Sequence, residues 1–97
     1  MENTKKLYNL LLELKNIALA RDINKYHQIN ELFSKEQKVL PLPCHKNQLS
    51  WNYDKARNSL ANFLQDYGSV ELNNKFRKEA LEDFDKYFSQ IPNPIIE

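Results

Sequence analysis

The sequence has few of the residues that interrupt helices. Its only glycine is Gly68, and its four prolines stand at positions 41, 43, 92 and 94, so the long stretches between these places are free to be helical. A single glycine also excludes a glycine-rich phosphate-binding loop. No run of alternating apolar and polar residues is long enough to compete as a strand. These absences predict an all-α fold.

Cysteine and long apolar runs are scarce as well. The one cysteine, Cys44, cannot form an internal disulfide, and the first residues lead into an amphipathic pattern instead of the apolar core of a signal peptide. The densest apolar run, Leu10 to Leu12, is followed by Glu13 and falls far short of the ~20 residues that a membrane span needs. We therefore expect a cytoplasmic protein without a membrane segment.

Neither charge sign is in excess. The chain has 14 lysines and arginines against 13 acidic residues, a formal net charge of +1 that provides no overall field to attract nucleic acid or an anionic membrane. With 41% hydrophobic residues, the 97-residue chain is long enough to bury a core without a metal or disulfide. We expect one helical domain over residues 1–97, with a Pro-containing tail at 89–97.

Apolar residues recur every three or four positions in four segments, which is typical of amphipathic helices. The predicted helices cover residues 5 to about 19, 23 to about 34, 51 to 67, and 70 to 88. A residue suited to an N-cap precedes each of them: Thr4, Asp22, Ser50 and Ser69. Gly68 can end the third helix because glycine takes positive φ readily. The pattern predicts a small four-helix bundle.

The segment from residue 36 to 49 loses the helical period. Its Leu-Pro pairs, at 40–41 and 42–43, force extended backbone at both leucines. We expect one long Pro-containing connector between helices 2 and 3 that runs the length of the bundle. In this connector Cys44 would pack inward as a small apolar residue and His45 would face water. The spacing of the prolines does not fit Pro-x-x-Pro recognition, but a rigid loop that ends in Trp51 and Tyr53 could be a docking surface.

Metal and cofactor sites are not expected. A closed zinc site needs about four ligands in paired spacings, whereas the chain has one cysteine and two histidines. A catalytic thiolate needs a base and oxyanion donors held in fixed geometry, which adjacent residues of a loop seldom provide. The Cys44-His45 pair is therefore interpreted as part of the connector.

Arg21 is followed by the polar Asp22 and, after four more residues, by His27. This pattern resembles the Arg and His motif of the HEPN ribonucleases, small helical bundles in which dimerisation brings the Arg and His of two chains onto one RNA phosphate. The resemblance, which covers seven residues, implies that His27 would move the 2′-OH proton and Arg21 would stabilise the charged phosphorane. The alternative is structural: Arg21 ends helix 1, Asp22 caps helix 2 and His27 lies on a polar edge.

Charge is distributed unevenly along the chain. Four acidic residues and no basic one lie in a short stretch of helix 4: Glu79, Glu82, Asp83 and Asp85. The stretch from Lys35 to Arg57 instead has five basic and two acidic residues. The acidic stretch could steer a basic protein partner to helix 4, and the basic stretch could contact nucleic acid, although such runs are also common on solvated helix faces.

The sequence contains no constellation that specifies an enzyme, so a protein-binding role is favoured. We expect an immunity or antitoxin-type inhibitor of bacterial or phage origin that occludes a partner protein such as a toxin or nuclease. The contact residues would be Glu79, Glu82, Asp83 and Asp85, together with Trp51 and Tyr53 of the loop. The alternatives are a HEPN-like ribonuclease dimer using Arg21 and His27, and a helical protein that binds nucleic acid.

Overall fold

The computed structural model describes residues 2–42, 44 and 46–94. It consists of four α-helices: α1 (Glu2–Leu19), α2 (Ile23–Gln37), α3 (Gln48–Leu64) and α4 (Val70–Phe88). In this part of the chain the only strand-like pairing is an isolated bridge between Cys44 and Asn47. The radius of gyration is 13.5 Å. The predicted all-α four-helix bundle is confirmed.

The order of the helices is up, down, up, down. The N-terminal part of α2 faces the C-terminal part of α3 across a small cleft, and at the opposite end Gln37 of α2 donates a hydrogen bond to Asp54 of α3. Tyr8, early in α1, packs its ring against that of Phe88 at the end of α4. The links 20–22 and 65–69 therefore lie at one end, the turn end, and the connector 38–47 lies at the other, the connector end.

The connector does not run the length of the bundle, and this expectation was wrong. Because α3 starts beside the end of α2, a ten-residue link between Gln37 and Gln48 only has to turn the chain around. Pro41 therefore stiffens a local turn. Pro43 and His45 lie outside the described residues.

Helix α1 provides seven of the sixteen buried apolar residues in the described part of the core, more than any other helix. Its predicted stripe is buried throughout: Leu7, Leu10, Leu11, Leu14, Ile17 and Ala18. α1 packs against α2 and α3, and through Tyr8 and Lys15 it also reaches the aromatic rings of α4. The predicted stripe of α2 is buried less completely, because Tyr26 and Phe33 are covered while Ile23 is 44% exposed.

Two of the four predicted N-caps are confirmed and two are wrong. Asp22 Oδ1 accepts from the Lys25 N–H at 3.2 Å, and Ser69 caps α4 in the same way. Thr4, however, lies inside α1. Ser50 lies inside α3, where Asn47 is the cap and accepts from the Ser50 N–H at 3.1 Å.

The early start of α3 has a packing reason. A helix that begins at Gln48 brings Leu49 against the core, which a cap at Ser50 would leave outside the helix. In exchange, the hydroxyl of Ser50 is buried without a hydrogen-bond partner among the described residues. Burial of Leu49 offsets that cost.

Helix α3 ends at Leu64, earlier than the predicted Tyr67, because side chains organise the link that follows. Asn73 Oδ1 accepts from the Tyr67 N–H at 2.6 Å, and Asp66 Oδ1 accepts from the Gly68 N–H at 2.9 Å. The bond from Gly68 is the main cause that lowers the pKa of Asp66, with a second bond from Asn73. Gly68 has φ +93° within this link instead of serving as the residue after the helix.

The described part of the tail returns to the bundle. Ile91 is buried and belongs to the core. Ile95 and Ile96 lie outside the described residues. Within the residues that are described, no helix is long and apolar enough to cross a membrane.

Arg21 adopts a left-handed conformation, with φ 58°, after the end of α1. Its N–H donates to the Ala18 carbonyl at 3.0 Å, and the Asp22 N–H donates to the Ile17 carbonyl at 3.3 Å. These two bonds form a Schellman motif, in which glycine is the usual residue at the left-handed position. Arginine is strained there because its Cβ lies close to the backbone.

We expect Arg21→Gly to stabilise the protein by about 0.5 to 1 kcal/mol, since relief of this strain exceeds the entropy that glycine adds to the unfolded chain. Urea unfolding followed by circular dichroism measures the change. Arg21→Ala removes the same guanidinium and keeps the strained backbone, so it should give no gain. Equal stabilisation by both variants would mean that loss of the charge, and not relief of strain, is responsible.

Candidate interaction surfaces

The connector exposes apolar side chains. Leu42 is 87% exposed, the most exposed large apolar side chain among the described residues, and Val39 is 44% exposed. Pro41 is exposed too, while Leu40 is partly buried against the core. We call Val39, Leu40, Pro41 and Leu42 the connector surface.

Cys44 is exposed, contrary to the expectation that it packs inward. Its carbonyl oxygen accepts from the Asn47 N–H at 3.0 Å, in the tight turn that leads into α3. Because the backbone of this turn is held by Asn47, which also caps the helix, the short Cys44 side chain is directed away from the core.

A cleft of about 390 Å³ lies beside the connector surface. Its apolar lining comes from the connector residues Leu40, Pro41 and Leu42. Its polar lining comes from Ser34 and Gln37 of α2, Asp54 of α3 and Lys38 at the start of the connector. The cleft therefore combines an aliphatic wall with groups that can hydrogen-bond, which is the usual composition of a binding cleft.

Asp54 holds the polar side of the cleft in place. Its Oδ1 accepts from Gln37 Nε2 at 3.2 Å and from Arg57 Nη2 at 3.0 Å, and its Oδ2 accepts from Asn58 Nδ2 at 3.3 Å. The Asp54 and Arg57 side chains are only about a quarter exposed. The Arg57 guanidinium also lies 5.8 Å from the centre of the Phe33 ring. This network joins the end of α2 to α3, so the cleft has a fixed wall.

The predicted basic stretch is partly neutralised. Arg57 is paired with Asp54, and Lys55 lies with its ammonium 4.5 Å from the centre of the Trp51 ring. Three lysines of this stretch remain exposed, and all of them lie at the connector end: Lys35, Lys38 and Lys46. The end is therefore basic but does not form a continuous track of free cations.

The two aromatic residues that sequence reasoning assigned to a docking surface differ in exposure. Trp51 is half-buried at the start of α3. Tyr53 is 1% exposed and packs against Phe33 in the core, with 6.5 Å between ring centres. Tyr53 is therefore a core residue, and its assignment to a contact surface is corrected. The helical period places it on the face opposite Trp51.

The acidic stretch of α4 is exposed, but it is narrower than the sequence suggests. Glu79, Glu82 and Asp83 share one face by their spacing. Asp85 is turned towards α1, where its Oδ1 lies 3.9 Å from Lys15 Nζ. Four-residue spacing also places Lys86 on the face of Glu82, and Lys75 on that of Glu79, so a lysine flanks the acidic residues on each side along the helix.

Arg21 and His27 both lie at the turn end and both are exposed. Arg21 occupies the strained turn after α1, and His27 lies on α2 beside Tyr26, with 6.1 Å between ring centres. The hypothesis of a HEPN-like ribonuclease also requires a second chain to complete the Arg21 and His27 site, so it stays a prediction. Metal-independent RNA cleavage that disappears in His27→Ala would support it, and no cleavage by the parent would count against it.

Sequence reasoning missed a second cleft, of about 200 Å³, at the turn end. It lies between α2 and α3 and is lined by Ile23, Tyr26, His27, Ala61, Leu64 and Gln65. The sequence signal was that Ile23 and Tyr26 belong to the predicted apolar stripe of α2. Among the described residues, no group of three His, Cys, Asp or Glu side chains is placed to hold a metal ion.

Comparison of the chain with protein-family models, with curated proteins and with solved structures finds no significant match.

Proposed function

We propose that this protein is a protein-binding helical module whose main contact is the connector surface. The observation that carries the proposal is the 87% exposure of Leu42 next to the cleft of about 390 Å³. An aliphatic side chain gains from burial only when another apolar surface covers it. A proline-stiffened loop also loses little conformational entropy on binding, so it suits an anchor residue.

Charge indicates what kind of partner fits. Lys35, Lys38 and Lys46 are exposed at the connector end, so the complementary surface is an apolar pocket with an acidic rim. A protein fits this description better than a nucleic acid does. Leu42 and Val39 gain nothing from a phosphate backbone, and Arg57 is already paired with Asp54.

Steric occlusion is the mechanism that this surface supports. A partner that seats Leu42 in its own pocket would have that pocket blocked by the bundle behind the loop. An immunity or antitoxin-type inhibitor, directed at a toxin or nuclease, is the specific form of this function that we propose. Glu79, Glu82 and Asp83 form a second contact candidate on α4, suited to a basic partner.

Leu42→Glu tests the proposal. The partner is first captured from the host with the tagged parent chain, and its affinity for each purified variant is then measured by titration calorimetry at two salt concentrations. Loss of a central apolar anchor weakens binding by about 30-fold or more. We expect a loss of that size for Leu42→Glu, because an added carboxylate is also repelled by an acidic rim.

Two controls locate the contact. Val70→Glu makes the same chemical change at the turn end and should leave the affinity unchanged. The double variant Glu82→Lys, Asp83→Lys tests the α4 surface. It should alter the salt dependence of partner affinity only if that surface contacts the partner. Unchanged binding by Leu42→Glu would refute the proposed contact, and recovery of nucleic acid as the bound material would refute the proposed class of partner.

A further inference from the structure

Exposed apolar side chains are also concentrated at the turn end. Val70 is 75% exposed, and Leu19, Ile23 and Leu72 are 47%, 44% and 43% exposed. We call these four residues the turn surface. They flank the two short links of the bundle and lie at the same end as the cleft of about 200 Å³ between α2 and α3. A surface of this kind marks an interaction site.

We infer that the turn surface is the contact between two copies of this chain, paired end to end about a two-fold axis. Each copy presents a projecting aliphatic side chain, Val70, and a cleft whose apolar lining includes Ile23, Ala61 and Leu64. A two-fold contact uses the same patch on both copies. The Val70 side chain of each copy can therefore enter the cleft of the other, so that one interface contains this contact twice.

The charges of the two ends distinguish a self-contact from a contact with another protein. Exposed charges at the turn end are nearly balanced, with two cations, Arg21 and Lys25, against three anions, Asp22, Asp66 and Glu71. Two identical turn ends therefore meet with little net charge, and opposite charges can be placed across the axis. The connector surface is flanked by the three exposed lysines and would repel the connector surface of a second copy.

The size of the end fits a reversible dimer. The bundle measures 42 × 27 × 25 Å, so its end has a cross-section of about 27 by 25 Å. A standard interface buries about 800 Å² on each partner, and the end of this bundle lies at or below that area. End-to-end pairing would also place the two connector surfaces at opposite poles, roughly 80 Å apart, in a bivalent binder.

Sedimentation velocity and light scattering from micromolar to submillimolar concentration test the inference. We expect the mass to rise from 11.6 kDa towards twice that value. Amide NMR shifts of the parent chain should change with concentration around Ile23 and Val70 and stay constant around Leu42. A mass of 11.6 kDa at every concentration, or growth beyond two copies, would overturn it.

The double variant Ile23→Glu, Val70→Glu locates the contact. Both residues are exposed and stand first in their helices, where a carboxylate is favourable for the helix dipole, so the fold should be retained. We expect the dissociation constant of the dimer to rise at least about tenfold. Leu42→Glu is the matched control and should dimerise like the parent.

The same pair of variants keeps this inference separate from the proposed function. Loss of partner binding in Leu42→Glu alone concerns the connector surface, whereas loss of self-association in the turn-surface variant alone concerns the dimer. Self-association that survives the double glutamate variant, or that is lost in Leu42→Glu, would refute the assigned contact.

Discussion

Replacing Phe84 by alanine should lower the free energy of unfolding by about 3 to 5 kcal/mol, as for other fully buried phenylalanines. Phe84 is 0% exposed. Its ring stacks on that of Phe88, with 5.2 Å between centres and 14° between planes, and the Lys15 ammonium lies 5.2 Å from its centre. Removing the ring opens a cavity between α1 and α4 and ends both contacts. The total free energy of unfolding of native proteins is about 5 to 15 kcal/mol, so this variant would lose a large share of its stability.

Phe76→Ala is the matched control on the same helix. Phe76 is half-buried, and its ring packs against Tyr67 of the α3–α4 link, with 4.6 Å between centres. We expect a loss of about 1 to 2 kcal/mol, because part of that ring is already in water. Urea unfolding of both variants provides the comparison. Equal losses would mean that the core does not depend on Phe84 in the way its burial indicates.

The architecture could be predicted because helical periodicity and helix breakers agree along this chain. The stripe of α1, from Leu7 to Ala18, needs no tertiary information, since a helix with this pattern must bury that face. The stripe of α2 was less informative. Ile23 has the right spacing but lies near the edge of the face, where burial depends on how closely a neighbouring helix approaches.

Helix ends were harder to predict, because several residues can cap and tertiary contacts choose among them. Asn47 and Ser50 are both good caps. The choice between them depends on whether Leu49 reaches the core, which only the assembled bundle decides. In the same way, the end of α3 depends on Asn73, which comes from the next helix and bonds back to Tyr67.

The candidate surfaces could be predicted only in part. Composition identified the connector and the acidic stretch of α4, but it could not assign exposure. Trp51 and Tyr53 are two residues apart and on opposite sides of one helix, so one is half-exposed and the other is core. The pairing of Arg57 with Asp54, and the cleft at the turn end, arise from contacts between helices that are remote in sequence.

Alkaline pH should destabilise the protein through Tyr53. Its side chain is 1% exposed. Burial raises the pKa of its phenol from 10.0 to about 12, and the neighbouring Tyr8 acts in the same direction. Burial also raises the pKa of Tyr26, partly offset by the Arg57 guanidinium. Between pH 10 and about pH 12 the unfolded chain releases the Tyr53 proton while the folded protein retains it, so the equilibrium shifts towards unfolding.

The sign and size of this effect set the test. The stability due to neutral Tyr53 is complete below pH 10 and is lost as pH rises to about 12, by about 2 to 3 kcal/mol in total. The Tyr53→Phe variant has no phenol to ionise at this position. Between pH 10 and about 12, its free energy of unfolding should therefore fall by about 2 to 3 kcal/mol less than that of the parent. Tyr67→Phe is the control, since it removes a surface hydroxyl that donates to the Asn62 carbonyl in the parent. Its free energy of unfolding should fall with pH as much as the parent's does, because Tyr53 remains. Urea unfolding at stepped pH, with tyrosinate absorbance recorded in parallel, measures both quantities. Parallel curves for the parent and Tyr53→Phe would show that Tyr53 ionises as readily in the fold as in the unfolded chain, which its burial between Phe33 and α1 should prevent.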